Sequence, residues 1–451
     1  MATWSQISKS NLVGSIRLDP EFWQPNFLEK EKVIRAGAHV SLGAVVSTLK
    51  KGIFYILARE YAKDGIPFYR SSNVGSILPK ENGLAFITAE KHKAEYKTAL
   101  ENGDLMMVKT GRSGASVVLE PQCNVSQDVI AVKLHRDRVN PYFLAVYLNT
   151  SFGASEMNRW FQGQVQPHLS LDDARRILIA LLPDETQSEI EDLVRNAAHC
   201  RSEATLAYQQ ASKLFEGELG LDKLTFQKPV GYVANFSNLE TSLRSDAQHY
   251  QPRFKQLIDH VSSFRSARIR DIRSQNRRGL QPVYIRHGQI AVLNSQHLGS
   301  QHIDYDGLEK TSAKEFAAAP EAHIQKDDLL IYTTGAYIGR TNVYLSDAPA
   351  MASNHVNILR LDPGIDAAYM ALVFQSIVGQ FQTQQHARGS AQAELYPSDI
   401  DRFVVPLLDA DKQKAIGDLL RESLLKQQES RKLLDQAKTR VEQLIEAAVQ
   451  P

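Results

Sequence analysis

Cysteine is nearly missing from this chain of 451 residues: only Cys123 and Cys200 occur, far apart, with no CxxC spacing and no histidine at ligand distance. A disulfide framework and a zinc site are therefore excluded as organising features, and no metal is expected. Long apolar runs are missing too, since nothing approaches the roughly 18 residues of a membrane-spanning helix. The N-terminus, MATWSQISKSNLVG, has neither a basic segment nor an apolar core of a secretory signal, so a cytoplasmic protein is expected. An excess of either charge is also lacking. With 52 Lys and Arg against 51 Asp and Glu, the net charge of +1 argues against indiscriminate polyanion binding and leaves the local distribution to decide.

Catalytic signatures are missing as well. GRSGAS (111–116) lacks the lysine of a phosphate-binding P-loop, no GxGxxG follows a strand, and there is no GxSxG elbow, HExxH zinc motif or paired-carboxylate motif. Asn140-Pro141-Tyr142-Phe143 resembles the catalytic tetrapeptide of adenine methyltransferases, but it lacks the second proline and reads as a helix start. No catalytic residue is assigned, and a non-catalytic chain is expected.

What the chain does have is itself, twice. NLVGSIRLDPEFWQPNF (11–27) and NLETSLRSDAQHYQPRF (238–254) align without a gap, with eight of seventeen positions identical: Asn11/Asn238, Leu12/Leu239, Ser15/Ser242, Arg17/Arg244, Asp19/Asp246, Gln24/Gln251, Pro25/Pro252 and Phe27/Phe254. A period this long makes each copy a domain-sized unit rather than one turn of a solenoid. Lys50-Lys51-Gly52 recurs as Arg277-Arg278-Gly279. GDLMMVKTGRSG (103–114) matches DDLLIYTTGAYIG (327–339), and residues 163–190 match 389–416 through Gly163/Gly389, Gln166/Gln392, Asp173/Asp399, Gln187/Gln413 and Ile190/Ile416.

After each copy comes a stretch free of proline and rich in Ala, Glu, Gln and Leu, from Asp184 to about Phe215 and from about Asp411 to Ala448, with Gly217 as the first one's stop signal. Ile190, Leu193, Ala197, Ala204 and Ala211 in the first, and Ile416, Leu420, Leu434 and Val441 in the second, fall at alternating steps of three and four, a coiled-coil seam. Small residues at its centre require a close partner helix, and the two helices most simply pair with each other. The fold class is α+β: two pseudo-symmetric globular domains joined by two long antiparallel helices in a coiled coil. The divisions are 1–183 for the first domain, 184–217 for the first helical spacer, 218–241 for a connector, 242–408 for the second domain and 409–448 for the second spacer. Short β-rich runs such as GIFYIL (52–57), DLMMV (104–108) and HVNILRL (355–361) fill the globular halves, and NPYFLAVYLNT (140–150) reads as a helix.

Local charge then points to a partner. RSARIRDIRSQNRR (265–278) carries six arginines against one acid, a density suited to phosphate, with a solvated helix face as the plainer alternative. Within it, Arg277 and Arg278 repeat Lys50 and Lys51. Polar loops follow downstream: Arg70, Ser71, Ser72 and Asn73 in the first half, Asn294 and Gln296 in the second. Arg, Asn and Gln reach base edges through paired hydrogen bonds. A third loop follows the DL strand, with Thr110, Arg112 and Ser113 against Thr334 and Tyr337, and Arg340 beyond. Hydroxyls, glycine backbone and arginine commonly meet phosphate. All these residues are candidates for DNA contact.

Two variable halves, each opening on Arg-x-Asp and an aromatic before Gln-Pro-x-Phe (RLDPEFWQPNF, RSDAQHYQPRF), and each closing on a Leu-Leu element before a Gln-containing long helix (LLPDETQSEI, LLDADKQKAI), resemble the specificity subunit of type I restriction-modification enzymes. The resemblance spans about 15–448. It implies two target recognition domains, each reading one half of a split double-stranded DNA site, and helices acting as a ruler for the gap. It implies as partners methylation subunits, two of them, that bind S-adenosylmethionine and carry the adenine chemistry, and restriction subunits that translocate and cleave. This chain itself would hold no cofactor. Two alternatives stay open: a coiled-coil scaffold that does not bind DNA, and the targeting subunit of a methylation-only or type II-like system.

Overall fold

The computed structural model describes residues 4–10, 12, 17–163, 165–226, 229–389 and 392–448; Asn11 and Ser15 of the repeat lie outside the described residues. The chain divides into two compact units, residues 1–201 with 427–451, and residues 202–426. The division does not follow the five expected segments. Neither long helix is a body of its own, because each half of each helix buries its apolar stripe in one unit's core.

In the first unit ten short strands, β1 (His39–Ser41), β2 (Val46–Lys51), β3 (Tyr61–Ala62), β4 (Ile66–Tyr69), β5 (Ala85–Ile87), β6 (Leu105–Val108), β7 (Ala115–Val117), β8 (Asn124–Val125), β9 (Val129–Leu134) and β10 (Leu178–Ala180), make three sheets. Their orders are β2-β9-β6-β7, β3-β5-β4-β8 and β1-β10. The helix Ser151–Trp160 packs on β10 and on the helix Pro141–Leu148, which in turn packs on β7 of the first sheet and is buried along its whole length. That explains why its sequence is apolar all round rather than striped. Asn140 caps it, its side chain accepting from the backbone N–H groups of Tyr142 and Phe143. The tetrapeptide is a helix start, as the sequence suggests. GIFYIL, by contrast, is not a strand: only Ile53 makes a bridge, to Ser126, and Phe54 and Tyr55 stand in solvent.

The second unit repeats this plan with β11 (Ser266–Arg268), β12 (Arg273–Arg278), β13 (Ile290–Leu293), β14 (Glu309–Thr311), β15 (His323–Ile324), β16 (Leu329–Tyr332), β17 (Thr341–Val343), β18 (Ala350–Ala352), β19 (Val356–Leu361) and β20 (Val404–Pro406). The orders are β12-β19-β16-β17, β14-β13-β18-β15 and β11-β20. Even the irregularities recur. Register shifts fall between Val46 and Thr48 in one copy and between Arg273 and Gln275 in the other. The arginine-rich run is therefore strand and turn, not a helix face. Arg273 forms a forked ion pair with Asp401 at 2.7 and 2.8 Å, which removes it from any phosphate-contacting set.

The long helices run over Asp184–Leu219 and Ala410–Ala447. The first continues through Gly217 and stops at Gly220, whose left-handed backbone (φ +61°) ends it. Within the first unit the two helices pair around Ile190, Ala197, Ala437 and Val441, with Ser430 Oγ donating to the Ala197 carbonyl at 2.7 Å; within the second, Ala204, Ala211, Ile416 and Leu420 are buried and Ser423 Oγ donates to the Ala204 carbonyl at 2.7 Å. A serine hydroxyl reaching a facing backbone carbonyl requires the close approach that alanine permits. Two of the expected seam residues, Leu193 and Leu434, are only partly buried: Val194 is buried beside the first, and Leu433 and Leu434 share the second place. A straight helix repeats about every 3.6 residues rather than 3.5, so steps of four recur more often than a strict three-four alternation gives.

Both units anchor their long helices in the same way. Gln187 Oε1 accepts from the Asn140 N–H at 2.9 Å while its Nε2 donates to the Leu182 carbonyl at 2.8 Å; Gln413 does the same with Asp366 (3.2 Å) and Leu408 (2.7 Å). The repeated glutamine is thus a clamp between the helix start and the buried helix beside it.

Candidate nucleic-acid interface

Three loops singled out in each half converge on one short segment. In the first unit this hub is residues 125–129. It receives the Gly52 N–H on the Val129 carbonyl (3.0 Å) and the Ile53 N–H on the Val125 carbonyl (2.8 Å), and Ser126 N–H donates to the Tyr69 carbonyl (2.8 Å). Lys109 N–H donates to the Asp128 carbonyl at 2.9 Å. In the second unit residues 352–356 take the same bonds from Gly279 (2.9 Å), Leu280 (3.1 Å) and Thr333 (3.1 Å), and give one to the Leu293 carbonyl (3.0 Å). The end of the basic strand, the loop after β4 or β13, and the turn after β6 or β16 are therefore neighbours in both copies.

The glycine of the basic-basic-glycine repeat follows from this crossing. A Cβ on Gly52 would sit 2.3 Å from the carbonyl oxygens of Val125 and Ser126, and one on Gly279 would sit 2.1 Å from that of Ala352. No side chain fits there, and the preceding basic pair is held at the strand end.

Lys50, Lys51 and Arg277 are exposed, and the Lys51 ammonium lies 5.0 Å over the ring of Phe54. Arg278 is committed: its Nη2 donates to the Leu395 carbonyl at 3.1 Å and its guanidinium lies 4.9 Å from the Tyr396 ring. Arg112, Ser72 and Gln296 are exposed, while Ser71 and Ser113 are half-buried. Arg70 is exposed and donates to the Gly83 carbonyl at 2.6 Å. Thr110 Oγ1 shares a hydrogen bond with His168 Nδ1 at 2.9 Å.

Three candidates fit direct contact poorly. Asn73 is 0% exposed; its Oδ1 accepts from the Arg70 N–H (3.1 Å) and its Nδ2 donates to the carbonyls of Lys80 (3.0 Å) and Asn82 (3.2 Å). Its equivalent is His297, whose Nδ1 accepts from the Asn294 N–H at 3.0 Å, and burial pushes the His297 imidazole below the usual histidine range, in keeping with a neutral acceptor. Both residues build their loops. Asn294 bonds through Nδ2 to Glu309 and through Oδ1 to the Tyr284 hydroxyl. Thr334 is only 6% exposed. The short polar side chains that look like base readers in sequence are, at these positions, turn formers.

A fourth segment escaped the sequence reading. Residues 165–169 lie against the Thr110 turn, with Gly111 N–H on the Pro167 carbonyl (3.1 Å) and Leu169 N–H on the Lys109 carbonyl (2.8 Å); residues 388–389 and 392–396 lie likewise against the Thr334 turn, with Gly335 N–H on the Ala393 carbonyl (2.9 Å) and Leu395 N–H on the Thr333 carbonyl (2.9 Å). This segment brings Arg388 and Tyr396 beside Arg278, the Arg388 guanidinium 5.8 Å from the Tyr396 ring and bonded to Asp399 at 2.7 Å. The signal was present in the repeated Gly163/Gly389 and Gln166/Gln392. Exposed aromatics were missed as well: Phe54 (74% exposed) and Tyr55 follow one basic pair, and Tyr284 follows the other. Each hub thus carries basic groups beside exposed rings, an arrangement that can bind phosphate and stack on or pack against bases.

Compared with known proteins, the sequence matches no protein-family model and no curated relative. Solved structures do match. Among them are S subunits of type I restriction-modification systems. One, from M. genitalium, is 12% identical, with 92% of this chain and 96% of that chain covered at a TM-score of 0.47. The HsdS subunit from Thermoanaerobacter tengcongensis is 14% identical, with 91% and 95% covered at a TM-score of 0.29. The type IIG restriction endonuclease BpuSI matches 42% of this chain and 30% of its own at 10% identity and a TM-score of 0.31. Among the described residues, no helix is long and apolar enough to cross a membrane.

Proposed function

We propose that this chain is the DNA-specificity subunit of a type I restriction-modification complex, each unit reading one half of a bipartite site. The observation that carries the reading is the repeated hub, which in two diverged copies brings an exposed basic residue or pair and exposed aromatics to the same backbone crossing. Basic residues at a fixed strand end set register on phosphates, and loops that differ between copies supply different base preferences. On this reading the long helices, roughly 54 Å for 36 residues at 1.5 Å each, set the gap between half-sites. Methylation subunits, two per chain, would bind S-adenosylmethionine and carry the adenine chemistry, and restriction subunits would cleave, leaving this chain without a reaction of its own in the cytoplasm. No single observation favours the scaffold alternative.

The test is co-expression with the methylation subunit encoded beside it, followed by single-molecule sequencing of methylated adenines. The expected result is a bipartite motif of fixed gap, one half of which changes when residues 242–408 are replaced by those of a related chain. Methylation without a bipartite motif, or none at all, overturns the proposal. Lys50→Ala with Lys51→Ala should weaken binding evenly across sequences and lower the salt dependence by about two phosphate contacts.

A further inference from the structure

The turn between the DL strand and its partner is six residues in the first unit (109–114) and eight in the second (333–340). The longer turn carries a feature that the shorter one lacks. Arg340 lies with its guanidinium 3.8 Å over the ring of Tyr337, which is 56% exposed. The turn is fixed by its own backbone: Gly339 N–H donates to the Tyr332 carbonyl (2.8 Å), Tyr332 N–H to the Arg340 carbonyl (2.8 Å) and Arg340 N–H to the Tyr337 carbonyl (3.2 Å). Gly335 and Gly339 supply the left-handed backbone it needs (φ +119° and +85°), and Gly339 packs so closely that a Cβ there would lie 2.6 Å from Thr383 Cγ2.

Neighbouring arginines are spent elsewhere. Arg278 is bonded to the Leu395 carbonyl, Arg388 to Asp399, Arg360 to Asp328 and Arg273 to Asp401. Among the described residues, the hydrogen bond made by the Arg340 side chain is one of 3.4 Å from Nη1 to the Leu298 carbonyl. A guanidinium held 3.8 Å over a ring is restrained in position while its N–H groups can still reach a partner, and the planar fork of arginine matches the N7 and O6 acceptors of guanine in the major groove. A phosphate-contacting arginine needs no such orientation; Arg277, exposed at the strand end, suits that role.

We propose that Arg340, held by Tyr337, reads a guanine in the half-site engaged by the second unit. The proposal rests on the DNA-specificity reading above. The test uses the assembled complex with its methylation subunits and duplexes carrying the mapped site, with each guanine replaced in turn by 7-deazaguanine, which removes N7 and keeps base pairing. Wild type should lose roughly 5- to 100-fold in affinity at one guanine of the second unit's half-site. Arg340→Ala should lose a similar factor on the unmodified site and become indifferent to the replacement at that guanine. Tyr337→Phe, which keeps the ring, should bind like wild type, and Tyr337→Ala should approach Arg340→Ala. The assignment is overturned if no guanine of that half-site responds in wild type, a result independent of any variant's folding, or if Arg340→Ala weakens scrambled and mapped sites equally. Failure of wild type to prefer the mapped over the scrambled site would instead overturn the DNA-specificity reading itself.

Discussion

Glu156 is the most exacting place to test the physics of this fold. It lies on the helix Ser151–Trp160, 2% exposed, with one carboxylate oxygen accepting from the Leu178 N–H at 3.1 Å and the other 4.0 Å from Arg159. Burial pushes its carboxyl up to about 7 from an ordinary value of 4.5, against the favourable pull of the Leu178 N–H and Arg159. A folded value above the unfolded one means that the folded state binds more protons between the two. Stability from this group is complete below about pH 4.5 and is lost as pH rises through 7, a loss of about 3 kcal/mol at pH 8. The second unit holds the control: at the equivalent position stands Gln382, whose Oε1 accepts from the Val404 N–H (2.6 Å) and whose Nε2 donates to the carbonyls of Val378 (3.0 Å) and Val404 (2.9 Å). Glu156→Gln gives the first unit the same neutral group. Arg159 keeps its pair with Glu31 and its bond to the Phe22 carbonyl, so no buried charge is orphaned. The substitution should stabilise the protein at pH 8 by about 2 kcal/mol, somewhat less than the full term because attraction to Arg159 is given up. It should be near neutral at pH 5. Urea titrations at both pH values measure this, and for a unit of this size the melting temperature should rise by about 4–8 °C at pH 8. Equal stability at pH 8, or an unchanged difference between the two pH values, would refute the reasoning.

Other perturbations test other joints. Ala197→Leu puts three extra carbons where a serine hydroxyl reaches the facing backbone, and should cost about 1–3 kcal/mol by overpacking, read as a lower urea midpoint. Gln187→Ala leaves the Asn140 N–H and the Leu182 carbonyl without their partner and should cost about 1–3 kcal/mol in the same assay, with Gln413→Ala matching it in the second unit. Asp328→Ala strands Arg360, which holds it through two bonds of 2.7 Å, and removes the acceptor for the Gln325 N–H; a loss of about 3 kcal/mol is expected by denaturant titration.

The duplication, the helix starts at Asn140 and Asp366, the DL strands and the long helices were all legible in the sequence because each rests on local or periodic chemistry. The seam was legible to within one residue: its 3.5 spacing describes two helices that wind about each other, whereas the ends of these helices lie on globular cores and follow 3.6. GIFYIL misled because apolar content usually means burial, and here Phe54 and Tyr55 are exposed beside Lys51. The arginine run misled in the opposite sense. Its density suggested one patch, yet alternate residues of a strand face opposite ways, and Arg273 finds Asp401, more than a hundred residues distant in sequence. The segments around Gln166 and Gln392 were marked by their repeated residues, but their place beside the turns was not legible, because they join them through backbone bonds that carry no side-chain signature.

The pattern of what the two copies keep and what they change separates residues that fix backbone from those that, on the proposed function, would meet DNA. Gln187 and Gln413, Gly52 and Gly279, Asn140 and Asp366 preserve either the residue or its hydrogen-bonding role, and each fixes backbone. At the loop tips the roles themselves differ. The Asn73 amide and the His297 imidazole hold one turn by the same bond through different chemistry, Lys51 and Arg278 part company as one stays exposed and the other stacks on Tyr396, and the Thr334 turn grows by two residues to hold Tyr337 against Arg340. A scaffold that needed only two similar faces would gain nothing from a two-residue extension that sets Tyr337 against Arg340. A pair of readers for unlike half-sites needs the same frame with different tips, and the frame residues here are those whose bonds coincide in both copies.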